Sequence, residues 1–303
     1  MVKIFLTLML AANPILLLAP QASPPPDQET SSQPGISAGF LPILKPALEP
    51  GLPIRNFNVA EPNITAQSAL VYDATANRIL LAKDIFTPRP IASLTKIFTA
   101  FAANEKIKPE QEITISKQAV ETLGEIGDLQ VGEKMPFSEM LYFLLVASSN
   151  DAAVAVAENY PGDLLADINH QAKTWDLVDT VFADISGLSP SNHSTAWEIT
   201  RALIFALQNE TIKKVMGTNV IDIPSRNSQI TNHHLINTNR LLNLVPGVFA
   251  GKTGYTEEAG ECLLVAFFAP NNDILIAAIL NSQDRLGEAG QLISWARQGY
   301  VWQ

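Results

Sequence analysis

The chain has 303 residues, 47% of them hydrophobic and 17% charged, which is enough apolar material for one large or two ordinary globular domains and excludes disorder throughout. A formal net charge of -10 argues against a nucleic-acid partner, because phosphate binding needs a basic surface. The single cysteine, Cys262, excludes an intrachain disulfide, a lipid-modified N-terminal cysteine and a cysteine-based zinc site.

Met1-Val2-Lys3 precedes an apolar run from Ile4 to Ala19, interrupted by Thr7 and by Asn13-Pro14. The run is short for a spanning helix and Pro14 would break it, so residues 1–22 read as a signal peptide, with an uncleaved membrane anchor as the alternative. Residues 23–65 are crowded with prolines and read as an extended linker, part of whose apolar second half can lie against the folded body. Residues 66–303 read as the folded domain. Ser68–Asp73 and Ile79–Ala82 flank a polar turn and predict a hairpin. A helix is expected to begin at Ser93 and run through Ile97, Phe98, Ala100 and Phe101. Helices follow at Phe137–Ala147 and Asp151–Tyr160, separated by Ser148-Ser149-Asn150, then at Gly162–Trp175 and Thr195–Leu207. Strands are expected at Val248–Lys252, Glu261–Phe268 and Ile274–Leu280, and a last helix at Glu288–Tyr300. Strands at both ends with helices between imply α/β (α+β) architecture: one antiparallel sheet completed by both ends of the domain, a mostly helical lobe, and a cleft between them.

Three short motifs bring chemistry to that cleft. In Ser93-Leu94-Thr95-Lys96 a hydroxyl and an amine stand three residues apart, on one face of the expected helix. A serine hydroxyl is a weak nucleophile until a base takes its proton, and a lysine serves once burial or a positive neighbour favours the neutral amine. Ser148-Ser149-Asn150 places a second hydroxyl and a carboxamide in a break between helices, suited to proton relay and to a substrate carbonyl. Lys252-Thr253-Gly254 ends a strand with a fixed charge and a hydroxyl for a carboxylate. Gly254 lacks a side chain that would stop an extended peptide lying along the strand edge. Each motif alone is weak; their order and spacing carry the information. A second Ser-x-Asn, Ser225-Arg226-Asn227, lies outside any helical break and is set aside.

This trio is the signature of penicillin-binding proteins and class A β-lactamases. From about Ala69 to Trp302 the chain resembles the serine D-Ala-D-Ala carboxypeptidase family, the low-molecular-mass penicillin-binding proteins. The resemblance rests on Pro90–Lys96, Ser149-Asn150-Asp151-Ala152-Ala153, Gly187-Leu188 with His193–Ala196, Asn237–Leu242, and Gly251–Thr256 with Ala259-Gly260 and Cys262-Leu263. It implies a β-lactamase/transpeptidase-like fold with a sheet of about five strands flanked by helices. It also implies peptidoglycan stem peptides as substrates, β-lactams as covalent inhibitors, no cofactor, and an exported enzyme. By the same resemblance Ser93 is the nucleophile and Lys96 the general base, with Ser148 relaying a proton to the departing D-alanine. Asn150 holds the acyl-side amide and orients Lys96. Lys252 and Thr253 bind the terminal carboxylate, and the backbone N–H groups of Ser93 and Tyr255 form the oxyanion hole.

Departures from the family pattern qualify this. Ser149 stands where glycine is usual, so its side chain is expected to crowd the cleft or add a hydroxyl there. Ala250-Gly251 stands where a glycine and a larger apolar residue are usual. The chain stops soon after its last helix, without the β-rich second domain and C-terminal amphipathic anchor of many members. That form is closer to the branch that cleaves D-amino-acid crosslinks, so D,D-endopeptidase activity is the alternative. A class A β-lactamase needs a Glu-x-x-Leu-Asn loop, which the sequence lacks. A non-catalytic penicillin-binding sensor is disfavoured by the intact polar set. His170 and His193 are isolated and His233-His234 would point to opposite faces of a strand, so no chelating set is visible. Asp184 and Glu198 read as structural, and Cys262 as a small core residue.

Overall fold

The computed structural model describes residues 51–124, 127–226 and 232–303. The expected signal peptide, the linker up to residue 50 and Asn227 of the second Ser-x-Asn lie outside them. Within the stretch read as linker, strand β1 (Ile54–Arg55) pairs antiparallel with Tyr300–Val301, and Ile64 is buried in the core. The apolar residues that end the proline-rich stretch have a surface to cover.

Strands β2 (Ser68–Asp73) and β3 (Arg78–Lys83) form the expected hairpin. Its turn is closed by Asp73, whose Oδ1 accepts the N–H groups of Thr75 (3.0 Å) and Ala76 (2.8 Å). After β4 (Arg89–Pro90) the helix expected at Ser93 starts later. Ala92–Thr95 is a 3-10 turn, and α1 runs from Lys96 to Lys106. The chain leaves β4 and enters this turn within two residues, with Ala92 in the left-handed region at φ 48°. Such a reversal is incompatible with an α-helical start at that point.

The lobe contains β5 (Glu112–Thr114), α2 (Lys117–Val120), β6 (Lys134–Pro136), α3 (Phe137–Leu145), α4 (Asn150–Glu158) and α5 (Leu164–Thr174). Strand β7 (His193–Ser194) pairs with β4. Helices α6 (Ala196–Ala206) and α7 (Glu210–Met216) are capped by Thr195 and Asn209, whose side chains accept from first-turn N–H groups. A hairpin, β8 (Val220–Pro224) with β9 (Asn232–Ile236), and the short α8 (Leu241–Leu244) lead to the long strands β10 (Val248–Thr256), β11 (Gly260–Phe268) and β12 (Ile274–Ser282). Helix α9 (Arg285–Gln298) and β13 (Tyr300–Val301) end the chain.

The five-stranded antiparallel sheet has the order β10-β11-β12-β2-β3. Both faces are covered, which explains why its strands read as nearly continuous apolar runs. Leu70, Cys262, Leu264, Ala278 and Leu280 join one core with Ile97 and Phe98 of α1 and Ile199 of α6. Val71, Leu263, Val265, Ala277 and Ile279 join another with Ala289, Leu292, Ile293 and Ala296 of α9. Strand β10 is an outer strand of this sheet, and it carries the third motif.

Candidate active site

The Ala92–Thr95 turn and the first residue of α1 put Ser93 and Lys96 together: Lys96 Nζ lies 2.9 Å from Ser93 Oγ. The lysine is fully buried. Its Nζ also donates to Asn150 Oδ1 (2.6 Å) and to the Ser186 carbonyl (2.8 Å). Those two oxygens can only accept. The amine is thereby held within proton-transfer distance of the Ser93 hydroxyl.

Ser148 lies in the break between α3 and α4 with φ 62°. This left-handed backbone stops α3 and aims the side chain at β10, where Lys252 Nζ donates to Ser148 Oγ (2.7 Å) and to the Thr253 carbonyl (2.9 Å). Lys252 is also fully buried. Asn150 opens α4, and its Nδ2 donates to the Leu123 carbonyl (2.9 Å). Thr253 Oγ1 donates to Thr238 Oγ1 (2.6 Å). The six motif residues form two hydrogen-bonded groups, Ser93 with Lys96 and Asn150, and Ser148 with Lys252 and Thr253. Of the six, Ser93 and Asn150 line a neighbouring cavity of about 450 Å³, together with Gly124, Gly187, Leu188, Tyr255 and Thr256.

Two expectations change. Ser149 does not crowd the cleft: it is fully buried, its Oγ accepts from Ala152 N (3.0 Å) as the N-cap of α4, and it also bonds Asp151. The hydroxyl that departs from glycine is used by the helix start. Gly254 has a nearer neighbour than a substrate. A Cβ built on it would come within 2.9 Å of the Ile91 carbonyl and 3.0 Å of Ser93 N. Its missing side chain lets β10 close on the Ala92–Thr95 turn.

The loop at 184–189 supplies support that the motifs did not reveal. Asp184 accepts from Ser186 N (2.7 Å), Ser186 Oγ (2.9 Å), Gly187 N (2.6 Å) and Ser189 N (2.5 Å). This holds the Ser186 carbonyl against Lys96. Gly187 has φ 93°, and a Cβ there would strike the Ala92 carbonyl and come within 2.8 Å of Ser93 N. The Gly187-Leu188 pair was the visible signal, but not what it touches. Asn192 ties the same loop to the Ala92–Thr95 turn, its Nδ2 donating to Thr95 Oγ1 (3.0 Å) and the Asp184 carbonyl (2.8 Å). Glu198 accepts from Asp179 N and Thr180 Oγ1 at the start of α6.

Cys262 is buried opposite Gly254 on β11. Burial pushes its thiol up to about 11, so it is no competing nucleophile at neutral pH. His233 is buried against Glu133 (2.9 Å), while the exposed His234 faces Asp222 (2.7 Å). Burial raises the Glu133 carboxyl, but hydrogen bonds from Ser225, His233 and the Gln130 N–H outweigh it and hold the group below the usual carboxylate range.

A family profile described as D-alanyl-D-alanine carboxypeptidase matches residues 55–284. A D-alanyl-D-alanine carboxypeptidase of Bacillus subtilis is 34% identical over 207 residues, which cover 65% of this chain and 53% of that protein. A D-alanyl-D-alanine endopeptidase of Pseudomonas aeruginosa is 30% identical over 266 residues, covering 84% of this chain and 83% of that protein. The crystal structure of the Streptomyces K15 DD-transpeptidase superposes with a TM-score of 0.74 at 25% identity, covering 78% of this chain and 98% of that one.

Proposed function

The chain belongs to the D-alanyl-D-alanine carboxypeptidase family of serine hydrolases, and from that premise we propose that it removes the terminal D-alanine of peptidoglycan stem pentapeptides through an acyl-enzyme on Ser93. The observation that carries the assignment is the buried Lys96 amine 2.9 Å from Ser93 Oγ, held there by further hydrogen bonds to Asn150 and the Ser186 carbonyl. Lys96 takes the Ser93 proton as Oγ bonds to the carbonyl carbon of the scissile peptide. The backbone N–H groups of Ser93 and Tyr255 receive the oxyanion, and losing one such donor costs about 3 kcal/mol in other hydrolases.

Collapse breaks the C–N bond, and the leaving amine takes its proton from Ser148. The Ser148 oxygen accepts from Lys252, so its own hydrogen can be delivered, to be replaced by the proton that Lys96 took. Lys252 and Thr253 attract the free carboxylate of the leaving residue, as Asn150 steadies the acyl-side amide. Water then attacks the ester with Lys96 again as base, which restores the Ser93 hydroxyl and releases the shortened peptide. β-Lactams acylate the same serine.

A D,D-endopeptidase reading uses the same atoms, since a crosslink is also a D,D-peptide bond with a carboxylate beside its nitrogen. It is supported by the similarity to the Pseudomonas endopeptidase, 30% identical over 84% of this chain. Digestion of purified muropeptides with mass readout separates the two: monomers lose one alanine in the first case, and crosslinked dimers disappear in the second. Folded protein that does neither would overturn the enzymatic assignment. Residues 1–22 are proposed to export the chain to its wall substrate, which fusion of that segment to a periplasm-dependent reporter would test. Among the described residues, no helix is long and apolar enough to cross a membrane.

A further inference from the structure

Arg285 stands outside the three motifs, at the first position of α9, yet its Nη1 donates to the Gly254 carbonyl at 2.7 Å. That oxygen belongs to the peptide group whose other end is the Tyr255 N–H. The described chain contains no cis peptide bond, and a trans peptide points its C=O and N–H in opposite directions. Arg285 holds the oxygen on the α9 side. The N–H is thereby directed away from that side, and Gly254 lies close to the Ser93 turn, with Ser93 N 3.0 Å from its Cβ position.

The arginine is itself fixed. Its backbone N–H donates to Glu261 Oε2 (2.8 Å), and its Nε is buried without a hydrogen-bond partner among the described residues. Burial of Nε keeps water from that side of the guanidinium, and the Gly254 carbonyl takes its Nη1. A cation hydrogen-bonded to a carbonyl oxygen draws electron density through the amide and makes the N–H at its other end a stronger donor.

We propose that Arg285 is a positioning residue of the oxyanion hole: it orients and polarises the Gly254–Tyr255 peptide so that the Tyr255 N–H meets the developing oxyanion of the substrate carbonyl. The inference rests on the assignment of Ser93 as the acylated serine. Its signature is selective. A donor that strengthens only as negative charge develops contributes to the tetrahedral state and little to ground-state binding.

The test compares the full-length protein with Arg285→Met, which keeps the length of the side chain and removes the donor, and with Arg285→Lys, which restores one charged donor. Three quantities are measured: the acylation rate constant with a D-Ala-D-Ala peptide, the dissociation constant of that peptide before acylation, and the affinity of a peptidyl boronic acid, whose serine adduct is tetrahedral. Arg285→Met is expected to lower acylation and boronate affinity together by about tenfold, a modest fraction of what removing an oxyanion donor costs. Peptide binding should stay within twofold, and Arg285→Lys should recover part of both losses. Equal weakening of peptide and boronate binding, or unchanged acylation in folded Arg285→Met, overturns the role of Arg285. A wild-type protein that neither acylates Ser93 nor binds the boronate overturns the acyl-enzyme assignment, and this inference with it.

Discussion

Gly187→Ala tests whether the 184–189 loop sets the geometry of the nucleophile. The added methyl collides with the Ala92 carbonyl and reaches to 2.8 Å from Ser93 N. The carbonyl oxygen is the nearer of the two and ordinary contact begins near 3.4 Å, so either the loop or the Ala92–Thr95 turn must retreat by more than an ångström. The backbone also sits at φ 93°, where an alanine is strained by about 1–3 kcal/mol. For a domain of this size that predicts a melting temperature lower by roughly 3–10 °C. Because reacting groups misplaced by about 1 Å lose on the order of 100-fold in rate, acylation should fall about 10- to 100-fold. Stopped-flow acylation by a fluorescent penicillin, with the melting temperature measured in parallel, gives both numbers. Gly290→Ala is the matched control: it lies within α9 and a Cβ there meets nothing within 4 Å, so it should stabilise by about 0.5–1 kcal/mol without changing acylation. A folded Gly187→Ala protein that acylates at the wild-type rate would refute the argument.

Further outcomes follow from burial and capping. Burial raises the Asp73 carboxyl from 3.8 to about 6, and its Oδ2 has no partner among the described residues. The folded state thus holds this proton more tightly than the unfolded one. Stability from this group is present below about pH 4 and lost as pH rises to about 6, by up to about 3 kcal/mol. Asp73→Asn should be the more stable protein at pH 7 and lose that advantage near pH 3.5; parallel melting curves at the two values that fail to converge at low pH would contradict it. The Cys262 thiol should resist a maleimide at pH 8 in the native protein and react once denatured, and rapid native labelling would show that the β10–β11 region opens. Ser149→Ala should cost about 0.5–2 kcal/mol as a lost helix cap and leave kcat/KM within twofold; a changed substrate preference would return Ser149 to the cleft.

The parts of the fold legible in sequence were those with one strong local signal. β11 and β12 are apolar runs around a Pro-Asn-Asn-Asp turn, and the sheet buries them on both faces as such runs require. The hairpin β8–β9 was missed because its alternation is weak: Asn232–Ile236 carries two histidines and an asparagine, and only His233 and Leu235 face inward. Helix α7 hid behind its polar residues, although the cap at Asn209 followed by Glu210 was readable. Helix α9 begins three residues before its expected start because Asp284 caps it, accepting from Gly287 N, in a stretch with few apolar residues.

At the site, the motif residues were legible because three short motifs fix their residue types and their order along the chain. Their supports were not. Asp184 and Arg285 act through backbone carbonyls at Ser186 and Gly254, and a backbone contact leaves no residue pattern to read. The nucleophile turn was misread as α-helix for a related reason, since the left-handed Ala92 is imposed by the junction with β4 and not by alanine's own preference. The neighbours of Gly254 and Ser149 were equally hidden: the first meets the Ile91 carbonyl and Ser93 N, the second the Ala152 N–H, and neither contact can be read from residue type.

The central claim is that Ser93 carries the acyl group while D-alanine leaves. Rapid-quench reaction of the full chain with a D-Ala-D-Ala pentapeptide, followed by mass mapping of the digested protein and assay of free D-alanine, measures both events at once. The account predicts an acyl group on the peptide that contains Ser93, one D-alanine released for each acyl group formed, and neither product with Ser93→Ala. An acyl group on another residue, or D-alanine release that persists in Ser93→Ala, would contradict it.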